Sequence, residues 1–263
     1  MGSATTQALA ATTAALGAVP SVDLGVAREL FVAARTLGDS SQLSGALADS
    51  SAAPAARAKV VSDVFGATFQ PATVSLLTTA AQQRWSSASD LVDGIEELGI
   101  RVAAIAEPDA DIEGELFGVS RTVAANPELE LALGSRLGDA SAKGALIETL
   151  LSGRTSAATT LIVSSAVQQT RERRVRQLIS RAMRLVAQQR GRSVATVIAA
   201  TPLGRTQTKR LTAALSQRYG TDISLNVVID PTVVGGVRIE IADDVIDASV
   251  ASRLHDLRQK LAG

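Results

Sequence analysis

Three carboxylates near the C-terminus, Asp243, Asp244 and Asp247, come closest in this 263-residue chain to an acid–base constellation. Two carboxylates in one cleft can divide general-acid and general-base work. These three follow an apolar run and precede a Ser at a helix start, which is the setting of turn residues. The single histidine, His255, lies off the Leu254–Leu257–Leu261 stripe of a predicted terminal helix, with no partner motif around it. Cysteine is absent, which excludes disulfides, thiolate nucleophiles and Cys-ligated metal sites. Asp109-Ala110-Asp111-Ile112-Glu113-Gly114 opens like a calcium loop, but its twelfth position is Ser120, where a bidentate Glu is required. Acids there suit a helix N-terminus instead. Gly235-Gly236 lacks the spacing and the following helix of a dinucleotide fingerprint. The residues therefore point to no catalytic, metal or cofactor site.

Charge gives a different candidate. Lys+Arg and Asp+Glu are 26 each, so the chain is formally neutral. The balance is uneven, however. Residues 107–170 hold 4 basic and 9 acidic side chains; residues 171–192 hold 8 basic and 1 acidic. Arg173, Arg176 and Arg184 fall on one face of a predicted helix over 171–189, a stripe suited to an acidic partner, an anionic lipid or nucleic acid. The plain alternative is a solvated face, partly paired with the acidic 107–115 segment. No run approaches the 18 apolar residues of a membrane span.

The elements that must position any partner-binding face are mostly helical. Alanine supplies 46 residues and aromatics only 6, which favours helices over strands. Displacing the chain by 86 residues reveals a gap-free repeat. Glu29-Leu30-Phe31 meets Glu115-Leu116-Phe117, Ala72-Thr73 meets Ala158-Thr159, and Gln82-Gln83 meets Gln168-Gln169. From 29 to 83 there are 14 identities in 55 positions, against roughly 4 by chance. Each copy reads as a helical bundle, with Pro54 and Pro71 at first helical turns. The helix over about 88–106 closes the first copy and opens the second. After Gly191 the pattern changes: an apolar strand over 194–200, a helix over 206–219, an alternating strand over 223–229, a strand over 233–241 and a last helix. The expected fold is mainly α, with two tandem bundles (1–104 and 105–191) and a C-terminal β-α-β-β-α module (192–263).

The C-terminal residues carry a resemblance. Ala199-Ala200-Thr201-Pro202-Leu203, then Ile229-Asp230-Pro231-Thr232-Val233-Val234-Gly235-Gly236-Val237, then Val245-Ile246-Asp247-Ala248-Ser249 resemble the signature of the delta subunit of F-type ATP synthases, the oligomycin-sensitivity-conferring protein family. Ala242 and Ala248 stand where that family usually has Gly. The doubled bundle looks like the actinobacterial form. The resemblance implies a non-catalytic stator subunit without cofactor or metal, peripheral on the cytoplasmic face of the cell membrane and held there only through the complex. It implies two partners, alpha-subunit N-terminal helices of the catalytic head and the C-terminal end of a b-type stalk subunit, and no nucleic acid. In that family a groove between the first and fifth bundle helices receives the alpha helix. Carried over, this marks Leu9, Leu16, Leu76 and Leu77 in the first copy and Ile95, Val102, Ile162 and Val163 in the second. Arg173, Arg176 and Arg184 are the further partner-binding candidates. The alternative is a helical scaffold that binds anionic lipid or nucleic acid through the Arg171–Arg192 stripe.

Overall fold

The computed structural model describes residues 2–135, 138–171, 173–241 and 244–250. Its contacts divide into one compact unit ending at Leu185 and a second beginning at Val186.

The first unit is helical: α1 (Ser3–Ala18), α2 (Leu24–Asp39), α3 (Ser41–Ala48), α4 (Pro54–Phe65), α5 (Pro71–Gln82), α6 (Ala88–Ala106), α7 (Ile112–Ala125), α8 (Pro127–Gly134), α9 (Ala140–Leu151), α10 (Ala157–Gln168) and the start of α11 (Val175–Gln189). Adding 86 to both ends of α3, α4 and α5 gives the ends of α8, α9 and α10. Local chemistry sets these boundaries. Asp23, Ser87, Asp111 and Asp139 cap the starts of α2, α6, α7 and α9 by accepting a backbone N–H three residues on. Pro54, Pro71 and Pro127 occupy first turns, where a missing N–H costs nothing.

The centre of the unit is α6, which touches α1, α2, α3, α5 and α10. Leu91, Ile95, Leu98 and Val102 on it are all buried. Two glycines let bulky side chains approach its backbone. The Trp85 indole lies over Gly94, where any Cβ would collide with the ring, and Phe31 lies over Gly99, where a Cβ would sit 3.0 Å from Cε1. Trp85 is itself 4% exposed, and its Nε1–H donates to the Ala80 carbonyl at 2.8 Å.

The second unit holds β1 (Arg192–Ala199), α12 (Arg205–Tyr219), β2 (Asp222–Ile229), β3 (Val237–Ile241) and β4 (Asp244–Asp247). The sheet order is β2-β1-β3-β4, with β1 parallel to β2 and the other pairs antiparallel. Ala195, Val197, Leu215, Ile223, Ile239 and Ile241 form its core. Two expectations need correction. Val233 and Val234 lie in a loop rather than in a strand, and the stretch after 243 is a fourth strand rather than a turn. Its exposure hides it, because Ile246 alone of its residues is even partly buried. The expected last helix, apart from Val250, lies outside the described residues, as do Asp243 and His255.

Trp85→Ala is expected to destabilise the first unit by about 3–5 kcal/mol, read as a lower denaturant midpoint. A loss under about 1 kcal/mol would show that the indole does not anchor the α5–α6 connection.

Candidate functional site

The helices that would form the grooves, α1 with α5 and α6 with α10, are placed by matching devices. A glutamate on the neighbouring helix receives the N-terminus of each partner. Glu29 on α2 accepts the Gln70 backbone N–H at 2.9 Å and the Thr73 hydroxyl at 2.5 Å, at the start of α5. Its counterpart Glu115 on α7 accepts the Ser156 N–H at 3.0 Å and the Ser156 and Thr159 hydroxyls at 2.6 Å each, at the start of α10. A carboxylate there satisfies N–H groups the helix cannot pair and meets the positive end of its dipole. On α1 the buried stripe is Thr5, Ala8, Thr12 and Leu16. Thr5 ties it to α6 by donating to Asp90 at 2.9 Å.

Most of the sequence-marked apolar residues lie in the interior. Leu16, Leu76 and Leu77 are buried in the first set, and Leu9 is part-exposed. Val74, which shares the apolar face of its helix with Leu77 and Ala81 but is not among the groove residues expected from sequence, is the other large apolar side chain of α1 and α5 left part-exposed. In the second set Ile95, Val102, Ile162 and Val163 are all buried. Leu161 and Val167 on α10 are buried too, because α10 also packs against α2, α7 and α9. Helical periodicity marks an apolar face; it does not say which segment of the same chain covers it.

The basic stripe is largely engaged within the first unit. Asp93, Glu96 and Glu97 share one face of α6 at i, i+3 and i+4 spacing, Glu97 buried and the other two part-buried. Arg171 pairs with Asp93 and Glu96, and Arg173 pairs with the same two at 3.2 and 3.3 Å. Arg181 reaches Glu97 at 3.3 Å, and Arg101 reaches it at 2.7 Å from one turn along α6. Arg176 holds Glu130 on α8 at 3.0 Å. The predicted helical stripe also needs correction. Helix α11 begins at Val175, so Arg173 sits in the connection before it, and Arg171 takes a left-handed φ of 44°. Arg174, Arg184 and Arg192 are the exposed members. The acids that answer Arg171, Arg173 and Arg181 are on α6, and the one that answers Arg176 is on α8.

In the second unit, Asp244 accepts from the Tyr219 hydroxyl at 3.1 Å, and Asp247 accepts the Ser249 N–H at 2.9 Å. The Ser249 hydroxyl and N–H hold the Asp247 carboxyl below its ordinary range. These are turn and strand-end contacts. At Gly236, with φ 78°, a Cβ would collide with the Ala248 carbonyl, so Gly235-Gly236 serves a close backbone approach. Among the described residues no cluster of His, Cys, Asp or Glu has the makings of a metal site, and no helix is long and apolar enough to cross a membrane.

Doubled helical hairpins followed by a small mixed sheet define a helical scaffold with an appended α/β module. Residues 100–261 match the family described as ATP synthase delta (OSCP) subunit. The ATP synthase subunit delta of Leifsonia xyli subsp. xyli is 48% identical over 265 residues, covering 100% of both chains. Subunits of the same description from Streptomyces avermitilis and Thermobifida fusca are each 37% identical, covering 90% and 89% of this chain and 88% and 89% of their own. The chain belongs to the ATP synthase delta (OSCP) subunit family, a family of non-catalytic stalk subunits, and its full-length relatives are actinobacterial.

Burial pushes the Glu96 carboxyl above its ordinary value, and Arg171 and Arg173 offset this only in part. The folded chain therefore holds that proton more tightly than the unfolded chain. The group's stabilising contribution is fullest below the ordinary carboxyl range and is lost as pH rises through its folded-state pKa. Wild-type stability relative to Glu96→Gln is expected to fall as pH rises from the ordinary carboxyl range through the raised folded-state pKa, measured by urea unfolding at each pH. The opposite slope would show that the arginines dominate.

Proposed function

We propose that the chain is the stator adaptor that joins the catalytic head of an F-type ATP synthase to its b-type stalk subunit. It would lie on the cytoplasmic face of the cell membrane and reach the membrane only through the complex. The observation that carries this reading is end-to-end similarity to ATP synthase delta subunits, at 48% identity over the full length. The repeat supports it: two bundle copies, proposed as 1–104 and 105–191 with the 88–106 helix shared, offer two sets of amphipathic helices. The third proposed domain, 192–263, would bear on the stalk subunit, and Val234 and Val245 there are exposed apolar side chains.

Helix-in-groove binding needs an apolar seam that a partner helix can reach. In the first copy that seam runs along α1 and α5 through Leu9, with Leu16, Leu76 and Leu77 forming its floor. In the second copy the corresponding set is Ile95, Val102, Ile162 and Val163. These are buried under α2 and its neighbours, so the first copy is the readier site for an alpha-subunit helix. Arg184, exposed on α11, is the member of the basic set free to meet an acidic partner.

A synthetic peptide spanning the alpha-subunit N-terminal helix is expected to bind, and Leu9→Asp to weaken it by about tenfold without altering the melting temperature. Calorimetric titration measures both. Absence of binding to the peptide and to the isolated catalytic head would overturn the reading.

A further inference from the structure

The two copies differ at one place in a way that opens a groove. In the first copy, Phe65 at the end of α4 is buried and stacks on Phe69, with ring centroids 5.1 Å apart. Eighty-six residues on, the same positions are Leu151 and Thr155. Leu151 and Thr155 line an apolar groove of about 380 Å³ between α7, α8 and α9, together with Val119, Val123, Leu129, Leu133, Ile147 and Leu150. Beside it, Leu146 and Leu150 stand 43% and 42% exposed, one turn apart on α9. An exposed i, i+4 leucine ridge along a groove is a surface that a helix covers.

The charges at the mouth state what the helix carries. Two charged side chains line the groove, Glu115 and Arg154. The Glu115 carboxylate is spent on Ser156 and Thr159. Arg154 is exposed and has no ion-pair partner among the described residues. Among the described residues, the groove thus offers one unpaired cation at the rim of an apolar cleft whose lining includes the positions that hold aromatic rings in the first copy. A second copy of this chain is the poorer occupant, because two leucines and a cleft fall well short of the roughly 800 Å² per partner that a stable pair buries.

We infer that the α7–α8–α9 groove docks an amphipathic helix of a partner protein, anchored by an aromatic side chain in the place of Phe65 and Phe69 and by a carboxylate on Arg154. This site is distinct from the α1–α5 seam and stands whether or not that seam is used.

The test uses the full chain and a designed amphipathic helical peptide of about 18 residues with a Phe and a Glu one turn apart on its apolar edge. Fluorescence anisotropy is expected to give a dissociation constant on the order of 10 µM. Replacing the peptide's Phe by Ala should weaken binding about tenfold, and so should Leu150→Glu or Thr155→Phe in the protein, the second by refilling the groove as in the first copy. Arg154→Glu should weaken the Glu-bearing peptide and strengthen a Lys-bearing one. Each variant changes an exposed or part-exposed position, and an unchanged melting temperature verifies the fold. Failure of the Phe peptide to bind, or binding indifferent to all three variants, would overturn the inference. So would self-association of the chain that Leu150→Glu abolishes, which would assign the groove to a second copy.

Discussion

One helix lies at the centre of the first unit, and the packing of the unit is organised around it. Helix α6 touches α1, α2, α3 and α5 on the amino-terminal side of the repeat and α10 on the other, so partners crowd it from several sides. A helix in that position needs places where neighbours can come close. Gly94 and Gly99 give them, admitting the indole of Trp85 and the ring of Phe31 where any side chain would push them off. Close approach lets a chain with few aromatics bury those it has against backbone, where dispersion contacts are dense.

The repeat shows which local devices withstand divergence and which do not. The glutamate that receives the next-but-two helix is kept, as Glu29 and Glu115, because the task is the same in both copies: unpaired N–H groups and a helix dipole must be met. The basic side chain near the start of the fourth helix is kept in charge but not in task. Arg57 donates to the carbonyls of Gln82 and Gln83 at the end of α5, whereas its counterpart Lys143 donates to the carbonyl of Ser135, between α8 and α9. The anchor of the last connection changes altogether. Trp85 becomes Arg171, and an apolar seat on Gly94 becomes an ionic seat on Asp93 and Glu96. Identity between the copies is therefore highest where one geometry has one chemical solution.

Much of this was legible in the sequence because punctuation was explicit. The bounds of Ile112–Ala125 and Ala140–Leu151 could be read directly, since an acid cap precedes each helix and the apolar stripe is regular. The repeat supplied the order of elements without any propensity argument. Tertiary pairing was not legible. The arginines of 171–181 read as a surface stripe because their acids lie far away in sequence, some 80 residues back on α6 and 46 back on α8, and a helix starting at Arg171 is the natural reading because Arg171–Arg174 looks like any helix edge. The apolar groove positions were marked as a partner's seat for the same reason: periodicity shows that Ile162 and Val163 face something apolar, and that something is partly this chain itself.

The ionic seat has a consequence that an apolar one would not. A face of leucine and alanine tolerates a neighbour shifted by one turn, because the shifted contacts are nearly as good. The three acids at 93, 96 and 97 do not. Moving the arginines one turn towards the C-terminus of α6 would set them against Glu97, Ile100 and Arg101, one acid, a neutral side chain and a like charge, in a setting where Glu97 is only 9% exposed. An uncompensated charge at that depth costs about 3–5 kcal/mol, far more than the paired cluster contributes to stability. The network therefore resists sliding of α11 along α6 more than it strengthens their attachment. For a family of stalk subunits, resistance to displacement is the property that the position calls for, and the second copy obtains it by exchanging apolar contact for charge.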